Sequence, residues 1–194
     1  MEIKFTIERS VMASKDVCLW NTWDHEHLFY VHKQFNSAKI LHENATCAVL
    51  ETYIKMPFVP IYMRSIHCLF EIKDRNVLVL DTMPFGIIAR VEMIYDEISE
   101  KETKLTNNYS LNVPFIFYPL KPFIKYFIQK WNNENWLEDM PLKLRRQKAV
   151  DLGFRDFRGI VGNHNATKQL VRLPIPRTKD SIINHGCSDS IPID

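Results

Sequence analysis

Cysteine is scarce in this 194-residue chain and is not placed to hold a local metal cluster. The four cysteines are Cys18, Cys47, Cys68 and Cys187, and none forms C-x2-C, C-x-H or C-x2-H. That excludes a zinc finger and an iron–sulfur cluster of the two-cysteine, two-histidine kind from these residues. Charge of one sign is also lacking: a net +2 is too small to argue for a nucleic-acid partner. No apolar signal region follows the Met-Glu-Ile-Lys start, which predicts a cytoplasmic protein with reduced thiols. Long hydrophobic runs are missing too. The most apolar stretch, 112–128, is broken by Pro114, Pro119 and Pro122 and carries Lys121 and Lys125, so it does not read as a membrane span.

What is present is ordinary globular balance, 46% hydrophobic and 25% charged. The length suits one domain that needs no staples. Aromatic residues reach 12%, twelve of them Phe, enough for a core or for the wall of an apolar cavity.

Ile3, Phe5 and Ile7 alternate with polar neighbours and predict a strand. Ser14 is placed to cap a helix from about Lys15, with Trp20, Asp24, His27 and Val31 along one face. Strands are expected near Ala38–His42, Ala48–Lys55, Met63–Glu71, Asn76–Thr82, Ile87–Tyr95 and Lys104–Leu111, with breaks at Lys73–Arg75 and Pro84–Gly86. From about Pro122 to Val150 the pattern turns helical, with Pro141 expected to split or kink it. Strand, helix, six strands, helix predicts an α+β domain, one curved antiparallel sheet wrapped around a long C-terminal helix. Residues 1–172 form the expected domain and 173–194 a loose tail.

The segment Trp20–His32 reads N-x2-D-x2-H-x4-H through Asn21, Asp24, His27 and His32. Two imidazoles joined by one distant carboxylate hold Fe(II) on one face and leave the other open. Five residues turn a helix by about 140°, so His27 and His32 can converge only if the helix ends or bulges between Leu28 and Val31. Asp24 stands one turn before His27, where it can accept the second ring N–H. The acids Glu134, Glu138, Asp139 and Asp151 are candidates for the carboxylate. His25 is expected to be exposed, and His42 and His67 to be structural. Lys143, Arg145, Arg146 and Lys148 are expected on a solvated face, with docking of an acidic ferredoxin as a second reading. Pro114–Pro119 is expected to pack between the last strand and the helix, or else to form an apolar rim.

The segments NTWDHEHLFYVH and LEDMPLKLRR together resemble the catalytic domain of Rieske non-haem iron oxygenases, most closely that of 3-ketosteroid 9α-hydroxylase oxygenase components. The resemblance implies a helix-grip (START/Bet v1-like) fold, with His27, His32 and Asp139 as iron ligands. It matches Asp24 to the aspartate that bridges toward a neighbouring subunit's cluster. It also implies an oxidoreductase acting on an apolar or polycyclic substrate, electrons from a separate ferredoxin or reductase, and a homo-oligomer. Two alternatives stay open: a non-catalytic module binding a lipid-like small molecule, and metal-assisted hydrolysis or cyclisation without redox chemistry.

Overall fold

The computed structural model describes residues 2–44, 46–55 and 61–153. The expected tail at 173–194 and Cys187 lie outside the described residues; Cys18, Cys47 and Cys68 are free thiols.

Seven antiparallel strands form one sheet: β1 (Glu2–Val11), β2 (Phe35–Glu43), β3 (Cys47–Lys55), β4 (Tyr62–Glu71), β5 (Val77–Met83), β6 (Ile87–Ser99) and β7 (Glu102–Asn112). The spatial order is β1-β7-β6-β5-β4-β3-β2, a meander whose last strand pairs with the first. Every strand expected from the sequence is present, within a few residues of its predicted bounds. The cause is simple: one face of the sheet is buried, so inward residues must be apolar at every second position. Leu69, Val79, Val91 and Tyr109 stand opposite one another in register along that face.

Two helices, α1 (Lys15–Trp23) and α2 (His25–Val31), connect β1 to β2. The Ser14 hydroxyl accepts from Val17 N at 3.3 Å and caps α1 as expected. The single predicted helix is divided instead at Asp24, whose ψ of 84° breaks the helical path. α3 (Lys121–Asp151) closes the concave face. It continues through Pro141 and is not split into two helices there. The ring forfeits only the hydrogen bond to the Leu137 carbonyl, and Leu137 is 63% exposed, so water can take its place. This is the helix-grip architecture expected for the chain. No helix among the described residues is long and apolar enough to cross a membrane.

The core between sheet and helices gathers Val11, Val17, Leu19, Trp23, Leu50, Leu69, Val77 and Tyr95. A smaller cluster of Ile3, Ala89, Leu111 and Val113 receives Ile124 and Ile128 from the start of α3. The Pro114–Pro119 turn departs from expectation: Phe115 and Ile116 are 78% and 80% exposed rather than packed under the helix.

Candidate functional site

α2 ends at Val31, and His32 follows in extended backbone (φ −88°, ψ 118°). That termination, just beyond the window expected from the sequence, lets His27 and His32 face each other with ring centroids 5.1 Å apart. Both are buried. α3 brings Asp139 to them: its Oδ1 lies 3.4 Å from His27 Nε2 and 3.3 Å from His32 Nε2. The three ligand atoms all fall within 4.8 Å of one another.

The other ring nitrogens are committed. His27 Nδ1 contacts the Asp24 carbonyl oxygen, and His32 Nδ1 lies 3.1 Å from Glu138 Oε2. A carbonyl and a carboxylate only accept, so each Nδ1 carries a proton, and each Nε2 is the nitrogen that faces Asp139 Oδ1. Asp139 Oδ1 accepts no well-formed hydrogen bond among the described residues, while its Oδ2 takes one from Lys143 Nζ at 3.1 Å. Burial alone would raise the Asp139 carboxyl. The two imidazoles and Lys143 outweigh it and hold the group far below the usual carboxylate range. Two imidazole nitrogens and one carboxylate oxygen therefore converge.

The remaining motif residues do something else. Arg146, from α3, donates to Asn21 Oδ1 at 2.9 Å and to Asp24 Oδ2, and its guanidinium lies over the Trp20 ring at 4.5 Å. Asp24 thus serves His27 through its backbone carbonyl, and its carboxylate belongs to the clamp between α1 and α3. The expected basic face is divided accordingly: Lys143 and Arg146 are buried, and Arg145 and Lys148 are exposed. A ferredoxin patch loses two of its four cations. His25 is buried as well, 3.6 Å from the Glu43 carboxylate, not exposed as expected.

His27, His32 and Asp139 stand at one wall of a cavity of about 240 Å³ between sheet and α3. Leu69, Val79, Val91, Met93, Leu111 and Trp136 make most of its surface apolar. Three further polar atoms with no hydrogen-bond partner among the described residues belong to residues lining it: Asn107 Oδ1, Trp131 Nε1 and Asn135 Oδ1. Buried groups of this kind mark places where a ligand or water completes the bonding. Tyr109 is satisfied; Asn132 donates to its hydroxyl at 2.5 Å, and burial pushes the phenol up to about 12.

The sequence reading passed over a pair on the sheet wall. His67 of β4 and Asp81 of β5 are register partners, their Nδ1 and Oδ1 2.5 Å apart, and both line the cavity. Burial lowers the His67 pKa, but the charge and hydrogen bond of Asp81 more than offset this, and the net shift is upward from 6.5. A raised folded-state pKa stabilises the fold below the unfolded value, and that stabilisation disappears as pH rises through the folded value. Urea unfolding should therefore show stability falling from pH 6 to pH 8, and His67→Gln should flatten that slope; an unchanged slope would refute the assignment. One signal in the sequence pointed here: Asp81 follows Val77 and Val79 in the inward-facing positions of β5.

No family model matches the sequence, and no curated protein does. Solved structures do. The Zhui aromatase/cyclase from Streptomyces sp. R1128 superposes with a TM-score of 0.65 at 10% identity, over 75% of this chain and 96% of that one. The di-domain ARO/CYC StfQ from the steffimycin biosynthetic pathway gives 0.63 at 6% identity, over 75% of this chain and 52% of its own length. Ara h 8.0201 gives 0.55 at 8%, over 75% and 99%. At such identities the likeness is one of fold, and it is the START/Bet v1-like helix-grip fold. These structural neighbours overturn the resemblance to Rieske oxygenases, and the iron-oxygenase reading with its ferredoxin or reductase falls with it. The physical reason lies in the motif itself. Asn21, Asp24 and Arg146 matched because they build a structural clamp, which says nothing of oxygen chemistry.

Proposed function

We propose that the protein binds a compact apolar small molecule carrying one or two polar groups, inside the cavity between sheet and α3. The supporting observation is an apolar wall interrupted by single polar atoms without protein partners, the usual composition of a ligand pocket. Its 240 Å³ lies just under the roughly 300–1,000 Å³ typical of drug-sized ligands, which favours a small ring system over a long-chain lipid. Asn107 and Asn135 offer acceptors to a hydroxyl, and Trp131 a donor to a carbonyl. N-phenyl-1-naphthylamine should brighten on binding the wild-type protein. Val91→Trp, which fills the cavity from β6, should weaken that binding at least tenfold. Equal affinity in the two proteins would place the probe elsewhere and sink the reading.

A second reading concerns the polar wall. His27 Nε2, His32 Nε2 and Asp139 Oδ1 suit a divalent transition metal, Fe(II) included, with coordination positions left toward the cavity. Atoms about 2.1 Å from a shared ion at tetrahedral or facial angles stand roughly 3–3.5 Å apart. The observed 3.3 and 3.4 Å fall in that range. Metal stoichiometry of the reconstituted protein tests it, one ion per chain supporting the site and none refuting it.

A further inference from the structure

We infer that His67 and Asp81 form a general-base dyad on the cavity floor, in which His67 Nε2 removes a proton from a carbon beside a carbonyl of the bound apolar ligand. The inference rests on the cavity reading and gives it a chemistry.

The pair is out of place for a structural role. Its row across the sheet is Leu50–His67–Asp81–Ala89–Leu111–Ile3, and the four other members are buried apolar residues. Placing two ionisable groups among them carries a desolvation cost that an apolar pair would avoid. What the pair gains is orientation. Asp81 accepts the Nδ1 proton at 2.5 Å, which fixes the tautomer and leaves the lone pair on Nε2. Nε2 makes no hydrogen bond among the described residues, and the His67 side chain keeps 13% of its surface open where it lines the cavity. The arrangement is a base held by an orienting carboxylate, on a residue that lines the space a ligand would occupy.

A carbonyl partner has a site as well. Trp131 lines the same cavity, and its Nε1, buried and without an acceptor among the described residues, can donate to an oxygen on which negative charge develops. In the step proposed, Nε2 takes the C–H proton and becomes imidazolium, stabilised by the Asp81 carboxylate. The C–H electron pair moves into the enolate, whose oxygen Trp131 holds. The imidazolium then returns the proton to another atom of the same ligand. Nothing is oxidised or reduced, and no co-reactant is needed. Asp81 raises the His67 pKa above its ordinary value, which makes Nε2 a stronger base than a free imidazole. Asp81 is the charged group that faces His67 directly. The other titratable groups lining the cavity are Tyr109 from β7, Asp139 and Lys143 from α3, and His27 and His32 at the end of α2.

The test uses 5-nitrobenzisoxazole, a compact apolar carbon acid. One base removes its C3 proton while the N–O bond breaks, and the coloured cyanophenolate is read directly. The wild-type rate should rise with pH to a plateau, following the imidazole. His67→Gln should lower it by about a hundredfold. Asp81→Asn, which removes the group that raises His67, should move the midpoint to lower pH. A wild-type rate retained in folded His67→Gln, or a midpoint unmoved by Asp81→Asn, overturns the dyad. If His67→Gln does not fold, the Asp81→Asn midpoint decides alone. A protein that binds N-phenyl-1-naphthylamine but shows no His67-dependent rate refutes only the dyad. A protein that fails to bind that probe refutes the cavity reading beneath it.

Discussion

Arg146→Ala should destabilise the fold by about 3 kcal/mol, the largest loss expected from any single polar side chain here. Arg146 is 7% exposed and is the only described group that donates to both Asn21 Oδ1 and the Asp24 carboxylate. Truncation leaves Asn21, 2% exposed, with a buried oxygen lacking its donor, and strands a carboxylate that has only 25% of its side-chain surface in water. Breaking a buried pair from one side costs about 3–5 kcal/mol, and the partial exposure of Asp24 puts this case at the low end. Loss of the guanidinium over Trp20 adds to it. For a domain of this size the melting temperature should drop by roughly 6–12 °C. Arg146→Lys should recover only part of the loss, because an ammonium lacks the fork that reaches two acceptors at once. The double variant Asp24→Leu/Arg146→Met should be more stable than Arg146→Ala, since no charge is left unpaired. Urea unfolding of the four proteins checks this, and a loss below about 0.5 kcal/mol in Arg146→Ala would refute the clamp.

The same clamp shows which parts of the molecule were legible beforehand. The sheet could be read because its buried face imposes alternation on every strand, and the Ser14 cap because its chemistry is local. The spacing of Asn21, Asp24, His27 and His32 was visible, but spacing does not say which atom of a residue is used. Asp24 contributes a backbone oxygen to His27 and a carboxylate to Arg146, and no linear motif separates the two. His67 and Asp81 are 14 residues apart and meet only through the register of β4 and β5, so a search for local spacings could not pair them. The burial of Lys143 and Arg146 was hidden for a related reason. Sequence periodicity gives the cations of α3 a shared stretch of helix, whereas the partners that draw two of them inward lie on α1, on Asp139 and on the Trp136 ring.

Cobalt(II) added to metal-free protein should give visible d–d absorption that saturates at one equivalent, and Asp139→Ala should abolish it. The imidazoles, with Nδ1–H committed to Asp24 O and Glu138, turn Nε2 toward Asp139 Oδ1, and as neutral rings they would point lone pairs at it. Facing lone pairs repel unless a cation lies between them, either a metal ion or a proton that converts one imidazole to imidazolium. The two cases separate cleanly. With a metal, an excess of a hundred times Kd stabilises the fold by about 2.7 kcal/mol, and melting becomes dependent on metal concentration. With a proton, cobalt changes neither the spectrum nor the melting curve, and the metal reading is finished. The surrounding groups grade the effect. Glu138→Gln removes the carboxylate that orients His32 and should weaken metal binding about 10- to 100-fold, the usual weight of such a contact. Asp24→Asn should lower stability through Arg146 yet leave metal affinity unchanged, because His27 is held by the backbone carbonyl, which survives the substitution. Loss of metal in Asp24→Asn with retention in Glu138→Gln would reverse these roles and point to a ligand set different from His27, His32 and Asp139.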